Sequence, residues 1–182
     1  MSALKGQYMR IGHGFDVHAF ADATAGRPCI LGGVTVESDR GLAGHSDADV
    51  LTHALMDALL GAARIEGAGD IGQMFPDNDP AYKDADSIVL LQRVCALLCD
   101  NGWQIMDADC TVAAQAPRLA PYRQMMRKRL ATAMHLDLQQ VGVKATTTEH
   151  LGFVGRSEGI AAWAVVLLEE KQVLNPPVTQ AR

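Results

Sequence analysis

A chain of 182 residues, 48% of them hydrophobic and only 5% aromatic, has the size of one compact domain whose core is packed mainly by Ala, Leu and Val. Its formal net charge of −5 argues against a general nucleic-acid binder, which carries a basic face, but leaves room for a small anionic ligand held by local donors or a cation. The four cysteines (Cys29, Cys95, Cys99 and Cys110) form no Cys-x-x-Cys pair, no apolar run is long enough to span a membrane, and the N-terminus lacks a signal-peptide core, so a reducing, cytoplasmic setting is expected.

In chain order, residues 8–20 read as a strand broken by Gly12 and Gly14, followed by a loop of small residues over 21–28. Cys29-Ile30-Leu31 and Val34-Thr35-Val36, on either side of Gly32-Gly33, predict two short strands about a glycine turn or bulge. After a polar turn over 37–44, His45-Ser46-Asp47-Ala48-Asp49 leads into a helix. Its Val50, Leu51, Ala54, Leu55, Ala58 and Leu59 recur at helical spacing, and Ser46, Asp47 or Asp49 is its cap. Residues 61–69 end this helix, and 70–80 form a long acidic loop punctuated by Pro76 and Pro80. A second helix is predicted over 86–100, stopped by Asn101-Gly102, and then a strand over 103–115. A third helix over 121–135 carries Arg123, Arg127, Lys128 and Arg129; strands follow over 141–148 and 160–168. This order predicts an α+β fold, layered as in α/β proteins, with helices on one face of a mixed four- to five-stranded sheet. One domain is expected over 1–182, with its core over 9–170 and flexible tails over 1–8 and 171–182.

Three groups of residues carry chemistry. Asp16 and His18, two apart in the first strand, leave the same face; they read either as two ligands of a zinc-type ion or as an edge-strand pair with no metal. His53 lies on the first helix between Asp49 and Asp57, at i−4 and i+4. It reads either as a third ligand, with one of those carboxylates behind its far nitrogen, or as a buried histidine held by its helical neighbours. An Asp/His/His set leaves a fourth position open, as in a catalytic zinc site. The second group, Lys144-Ala145-Thr146-Thr147-Thr148-Glu149, offers phosphate donors and a carboxylate for Mg²⁺, or is simply a threonine-rich strand. In the third, Phe153-Val154-Gly155-Arg156-Ser157-Glu158-Gly159, Arg156 suits either a bidentate grip on a diphosphate or a pairing with Glu158.

The run Arg10-Ile11-Gly12-His13-Gly14-Phe15-Asp16-Val17-His18 resembles the opening signature of the 2-C-methyl-D-erythritol 2,4-cyclodiphosphate synthase family. His45 to Asp49 with His53, Asp70-Ile71-Gly72, Phe75-Pro76-Asp77, Ala114-Gln115-Ala116-Pro117, Lys144 to Glu149 and Leu151-Gly152-Phe153 with Gly155-Arg156 follow in the family's order, from about Arg10 to Leu168. The resemblance implies a phosphorus–oxygen lyase of non-mevalonate isoprenoid biosynthesis, which cyclises 4-diphosphocytidyl-2-C-methyl-D-erythritol 2-phosphate and releases CMP. It implies Zn²⁺ on Asp16, His18 and His53, and Mg²⁺ or Mn²⁺ on the substrate diphosphate near Glu149. His45 and Thr147 match positions of transition-state stabilisation, while Asp49 or Asp57 remains, on spacing alone, the carboxylate expected behind His53. Asp16, His18, His45, Ser46, Asp70, Ile71, Gly72, Phe75, Pro76, Asp77, Asn78 and Asp79 fall among the substrate contacts, the residues from Asp70 onward on the methylerythritol-phosphate side. Ala114, Gln115, Ala116, Pro117, Arg118, Leu119 and Ala120, with Thr146, Thr147, Thr148 and Glu149, fall on the cytidine side; Phe153 and Arg156 complete the set.

A homotrimer with active sites between subunits is implied as well, and Arg156 and Glu158 match residues near a central apolar cavity that takes an isoprenoid diphosphate. The link over 64–69 is longer than usual for the family, and His150 stands where Lys is common. Two rival functions remain on the sequence alone: a zinc-dependent phosphohydrolase and an isoprenoid-diphosphate-binding trimer.

Overall fold

The computed structural model describes residues 8–76 and 78–171. Of the expected tails over 1–8 and 171–182, residues 1–7 and 172–182 lie outside the described residues, as does the expected substrate contact Asp77. Strand β1 (Met9–Ala19) pairs antiparallel with β6 (Gly159–Glu170), β6 pairs antiparallel with β4 (Trp103–Ala113), and β4 pairs parallel with β5 (Val141–Thr146). The result is a mixed four-stranded sheet, as the alternation of strands and helices predicted, in the order β1-β6-β4-β5. The hairpin of β2 (Cys29–Leu31) and β3 (Val34–Val36) stands apart as its own two-stranded sheet. Its turn is made by Gly32 and Gly33 at φ 57° and 68°, both left-handed, the conformation that two-residue hairpins require.

Helix α1 (Val50–Ala63) is buried nearly all round and packs against β1 and β6. A helix this apolar has no solvent face and belongs inside the layer. The carboxylate of Asp49 accepts from Thr52 N–H at 3.0 Å and from the Gly32 and Gly33 N–H groups at 2.8 and 2.6 Å. One side chain therefore caps α1 and fastens the hairpin turn to it. Gly12 and Gly14 do not break β1. They face α1 and let it approach: a Cβ on Gly12 would lie 1.9 Å from the Ala58 carbonyl oxygen, and one on Gly14 2.0 Å from that of Ala54.

Helices α3 (Ser87–Asp100) and α4 (Arg123–Met134) complete the helical layer, packing on α1 and on β5 respectively. Helix α4 starts later than its periodicity suggested, because residues 119–122 close a turn in which Tyr122 N–H donates to the Leu119 carbonyl at 3.0 Å. The acidic loop is more ordered than its composition predicted: Asp70 caps a single turn, α2 (Ile71–Met74), and Asp79 caps a 3₁₀ turn over Pro80–Tyr82. The long link after α1 is closed by a bridge between Ile65 and Ala68. Strand β5 stops at Thr146, where its pairing with the last residue of β4, Ala113, runs out; Glu149 and His150 then take left-handed backbone, with φ 51° and 61°, and a second single turn, α5 (Gly152–Gly155), follows.

On the sheet face away from α1, the β1–β6 part carries an exposed apolar patch. Phe15 and Trp163 sit opposite each other across β1 and β6 with ring centroids 5.3 Å apart, and Ile11, Val17 and Val165 extend the patch.

Candidate functional site

Near the C-terminal end of β1 the two-residue period turns Asp16 and His18 toward α1, and the Gly14 contact brings the first turn of α1 close enough for His53 to meet them. Asp16 Oδ2 lies 3.0 Å from His18 Nε2 and 3.2 Å from His53 Nδ1, and the two ring nitrogens are 3.2 Å apart. Three possible ligand atoms thus converge from two elements 37 residues apart in sequence.

The donors behind the rings decide what this convergence means. His18 Nδ1 faces the Ala43 carbonyl at 2.7 Å, an acceptor only, so Nδ1 carries the hydrogen and Nε2 points its lone pair inward. His53 Nε2 lies 3.0 Å from Ser87 Oγ and 3.2 Å from Ser46 Oγ, which leaves Nδ1 facing inward. With both imidazoles neutral, three lone-pair groups meet with no hydrogen between them. Such a cluster is relieved by a proton or by a cation. A divalent cation fits, because the set is one carboxylate and two correctly turned imidazoles. The titration directions agree. Burial pushes the Asp16 carboxyl up, but its hydrogen bonds and charge interactions with His18 and His53 outweigh this and hold it far below the usual carboxylate range. Burial pulls His18 down, yet the bond and charge of Asp16, aided by the Ala43 carbonyl, leave it above its ordinary value.

The expected carboxylate partners of His53 are corrected here. Neither Asp49 nor Asp57 hydrogen-bonds its ring. Asp49 is committed to the hairpin and to the α1 cap, and Asp57 accepts from the Ile71 N–H at 2.9 Å, tying α2 to α1. Unpaired backbone donors at turns and helix starts draw these carboxylates away. The group that does stand behind His53 is Ser87, in the first turn of α3. Sequence reasoning missed it, since only a serine after the capping Asp86 marks it.

The three residues open on a cavity of about 210 Å³, which His45, Ser46, Ile71, Gly72, Phe75 and Tyr82 also line. Phe75 and Tyr82 meet edge to face at 5.3 Å, an apolar wall opposite a polar centre. His45 Nε2 lies 3.3 Å from the Asp79 carbonyl. The carboxylates of Asp70 and Asp79 are engaged as caps, accepting from Gln73 and Ala81 N–H groups at 2.8 and 2.9 Å. Pro76 and Asn78 do not line the cavity.

The second constellation is intact but separate. Ala114 N–H donates to the Thr146 carbonyl at 3.0 Å, and Gln115 Oε1 accepts from His150 N–H at 3.2 Å, so the segment that starts at Ala114 and carries the cis Ala116–Pro117 bond is tied at residues 114 and 115 to 146–150. Thr147 Oγ1 donates to Glu149 Oε1 at 2.6 Å, and Thr148 Oγ1 donates to the Leu151 carbonyl at 2.7 Å. Sheet register puts Asp16, Ala162, Val112 and Ala145 in one row, so both constellations lie at the same end of the sheet. They are nevertheless three strand spacings apart, roughly 14 Å. Within one chain the metal-type triad and the Thr–Glu cluster do not meet. Arg156 is exposed and makes a bidentate pair with Glu158, Nε to Oε1 at 2.7 Å and Nη2 to Oε2 at 3.1 Å. Phe153 is exposed as well, on the single turn α5.

Comparison with known proteins gives a consistent result. Residues 9–169 match the model of the YgbB family. A 2-C-methyl-D-erythritol 2,4-cyclodiphosphate synthase of Bacillus cereus (strain B4264) is 55% identical over 162 residues, covering 89% of this chain and 99% of the relative. Among solved structures, the bifunctional IspDF from Campylobacter jejuni superposes with a TM-score of 0.84 at 42% identity, over 91% of this chain and 43% of that one. A CDP complex of IspF from Plasmodium falciparum superposes with a TM-score of 0.76 at 32% identity, over 90% of this chain and 97% of that one.

Proposed function

This chain belongs to the YgbB family, and from that premise we propose that it acts as a 2-C-methyl-D-erythritol 2,4-cyclodiphosphate synthase in isoprenoid biosynthesis. The reaction is a phosphorus–oxygen lyase step on 4-diphosphocytidyl-2-C-methyl-D-erythritol 2-phosphate. An oxygen of the 2-phosphate forms a bond to the β-phosphorus, the bond from that phosphorus to the bridging oxygen breaks, and CMP leaves with the electron pair. No water is consumed and no protein nucleophile is needed, so positioning and charge neutralisation carry the catalysis.

The observation that carries this proposal is the inward convergence of Asp16, His18 and His53 on the wall of one cavity. These three residues hold Zn²⁺, and Glu149 contributes a carboxylate oxygen to Mg²⁺ or Mn²⁺. Cations so held polarise phosphate oxygens and offset their charge. His45, with its ring on the same cavity, steadies the phosphoryl oxygens, and Thr147 acts likewise from the cytidine side. Ile71, Gly72 and Phe75 enclose the methylerythritol end. The cluster of 114–120 with 146–149 receives the cytidine diphosphate, with backbone groups around the cis bond as its donors.

Two features of the single chain support the homotrimer that this reading includes. The metal-type triad and the Thr–Glu cluster are too far apart to grip one diphosphate, so each site joins the triad of one subunit to the cluster of the next. The open apolar face of β1 and β6, with Phe15 45% and Trp163 37% exposed, supplies the buried surface of such an assembly. Val165→Lys, on that face and away from both constellations, is expected to convert the trimer to a folded monomer with CMP release reduced at least about tenfold. Light scattering and circular dichroism check this; a trimer that survives the substitution would place the interface elsewhere.

Glu149→Gln is expected to raise the Mg²⁺ concentration for half-maximal CMP release by about tenfold or more, since the carboxylate charge is lost while the shape is kept. An unchanged Mg²⁺ titration counts against this ligand. The function itself is tested by ³¹P NMR of the products with a CMP assay. A cyclic diphosphate and CMP are expected, whereas inorganic phosphate without CMP would instead support a phosphohydrolase. An isoprenoid diphosphate at Arg156 must displace Glu158 from the guanidinium. The setting is taken as the cytoplasm; among the described residues no helix is long and apolar enough to cross a membrane.

A further inference from the structure

Behind His53 lies a buried relay. Ser87 is fully buried; its hydroxyl donates to Asp47 Oδ1 at 2.5 Å and its N–H donates to Asp47 Oδ2 at 2.9 Å. A serine hydroxyl has one hydrogen, and here the carboxylate takes it. The 3.0 Å contact between Ser87 Oγ and His53 Nε2 is therefore made with serine as acceptor, and Nε2 must carry the ring hydrogen. We infer that Ser87, oriented by Asp47, is a positioning residue that locks His53 in its Nε2–H tautomer and so aims the Nδ1 lone pair at the cation. This rests on the proposal that Asp16, His18 and His53 hold a divalent ion.

Ser46 does not fill the same role. Its Oγ lies 3.2 Å from His53 Nε2 and accepts from Ala48 N–H at 3.3 Å, and among the described residues no carboxylate fixes its hydrogen. It can turn to donate or accept, so it leaves either tautomer open. Asp47 and Ser87 also join the start of α3 to the segment before α1, so the ring is locked by three parts of the fold together.

The test uses the full chain with zinc and a competing chelator, together with long-range ¹H–¹⁵N spectra of the zinc-stripped protein at a pH where imidazoles are neutral. Ser87→Ala is expected to weaken zinc binding about 10- to 100-fold and to turn the single Nε2–H signal of His53 into a tautomer mixture. Ser46→Ala is expected to leave the tautomer unchanged. Asp47→Ala, which removes the acceptor of the serine hydrogen and frees that hydrogen for Nε2, is expected to release the tautomer in the same way and serves if Ser87→Ala does not fold. An unchanged His53 tautomer in the folded variant overturns the inference, whether or not zinc binding weakens. A wild-type chain that binds no zinc overturns the metal proposal instead, and the spectra of the stripped protein still judge Ser87.

Discussion

His53→Ala is expected to abolish stoichiometric zinc binding and to lower CMP release at least about a thousandfold, or roughly 4 kcal/mol of transition-state stabilisation. The size follows from the geometry. Asp16 and His18 sit on one strand and supply two ligand atoms, while His53 alone brings the third from α1. Two ligands from one edge strand do not fix an open tetrahedral site. The fold survives the truncation at a cost of about 1–3 kcal/mol, because the lost ring leaves Ser87 without its imidazole partner but also removes one of three crowded lone pairs. Metal analysis, CMP release and light scattering on the same sample make the test complete. A metal-free variant with full activity would remove His53 from the mechanism.

The second large effect is on stability. Gly14→Ala is expected to destabilise the protein by about 3 kcal/mol or more, since the added carbon would meet the Ala54 carbonyl oxygen at 2.0 Å and the Ala58 nitrogen at 2.6 Å. Both are backbone atoms of a buried helix and cannot rotate away, so α1 must lift off β1. His53 precedes Ala54 on that helix, so zinc affinity falls with stability. Gly12→Ala meets the Ala58 carbonyl oxygen at 1.9 Å and the Ala62 Cβ at 2.8 Å, further along α1 from His53. It is expected to lose similar stability and far less zinc affinity. Gly61→Ala provides the contrast. Nothing lies within 4 Å of its added carbon on an exposed turn of α1, so it should stabilise by about 0.5–1 kcal/mol. Urea denaturation with zinc titration of all three variants measures these effects. Equal zinc affinity in Gly14→Ala and wild type would refute the coupling of the β1–α1 contact to the metal site.

How far the sequence reached is clearest at His53. Its helical position was legible, because strand and helix periods are local and set which face a side chain leaves, whereas its meeting with Asp16 and His18 was expected only through the family resemblance. Its partner was not legible. Spacing offered Asp49 and Asp57, both on the same helix, whereas the ring is held by Ser87, 34 residues away on α3. Which acceptor a buried nitrogen finds depends on which backbone donors have already claimed the nearby carboxylates, and those donors come from the hairpin turn and the start of α2. The same limit applied to Gly12 and Gly14. Their presence in a strand was visible, but only helix packing explains it.

The sequence by itself determined the elements, the mixed sheet with helices on one face, the Asp16–His18–His53 set and the family signature. These rest on local periodicity, capping and ordered motifs. Only the tertiary structure decided the strand order β1-β6-β4-β5, which is a matter of long-range pairing that no local pattern encodes. That order sets the triad and the Thr–Glu cluster at opposite edges of one end of the sheet. Within one chain it therefore keeps apart two motifs that the proposed function needs together, which is the observation behind the proposed assembly.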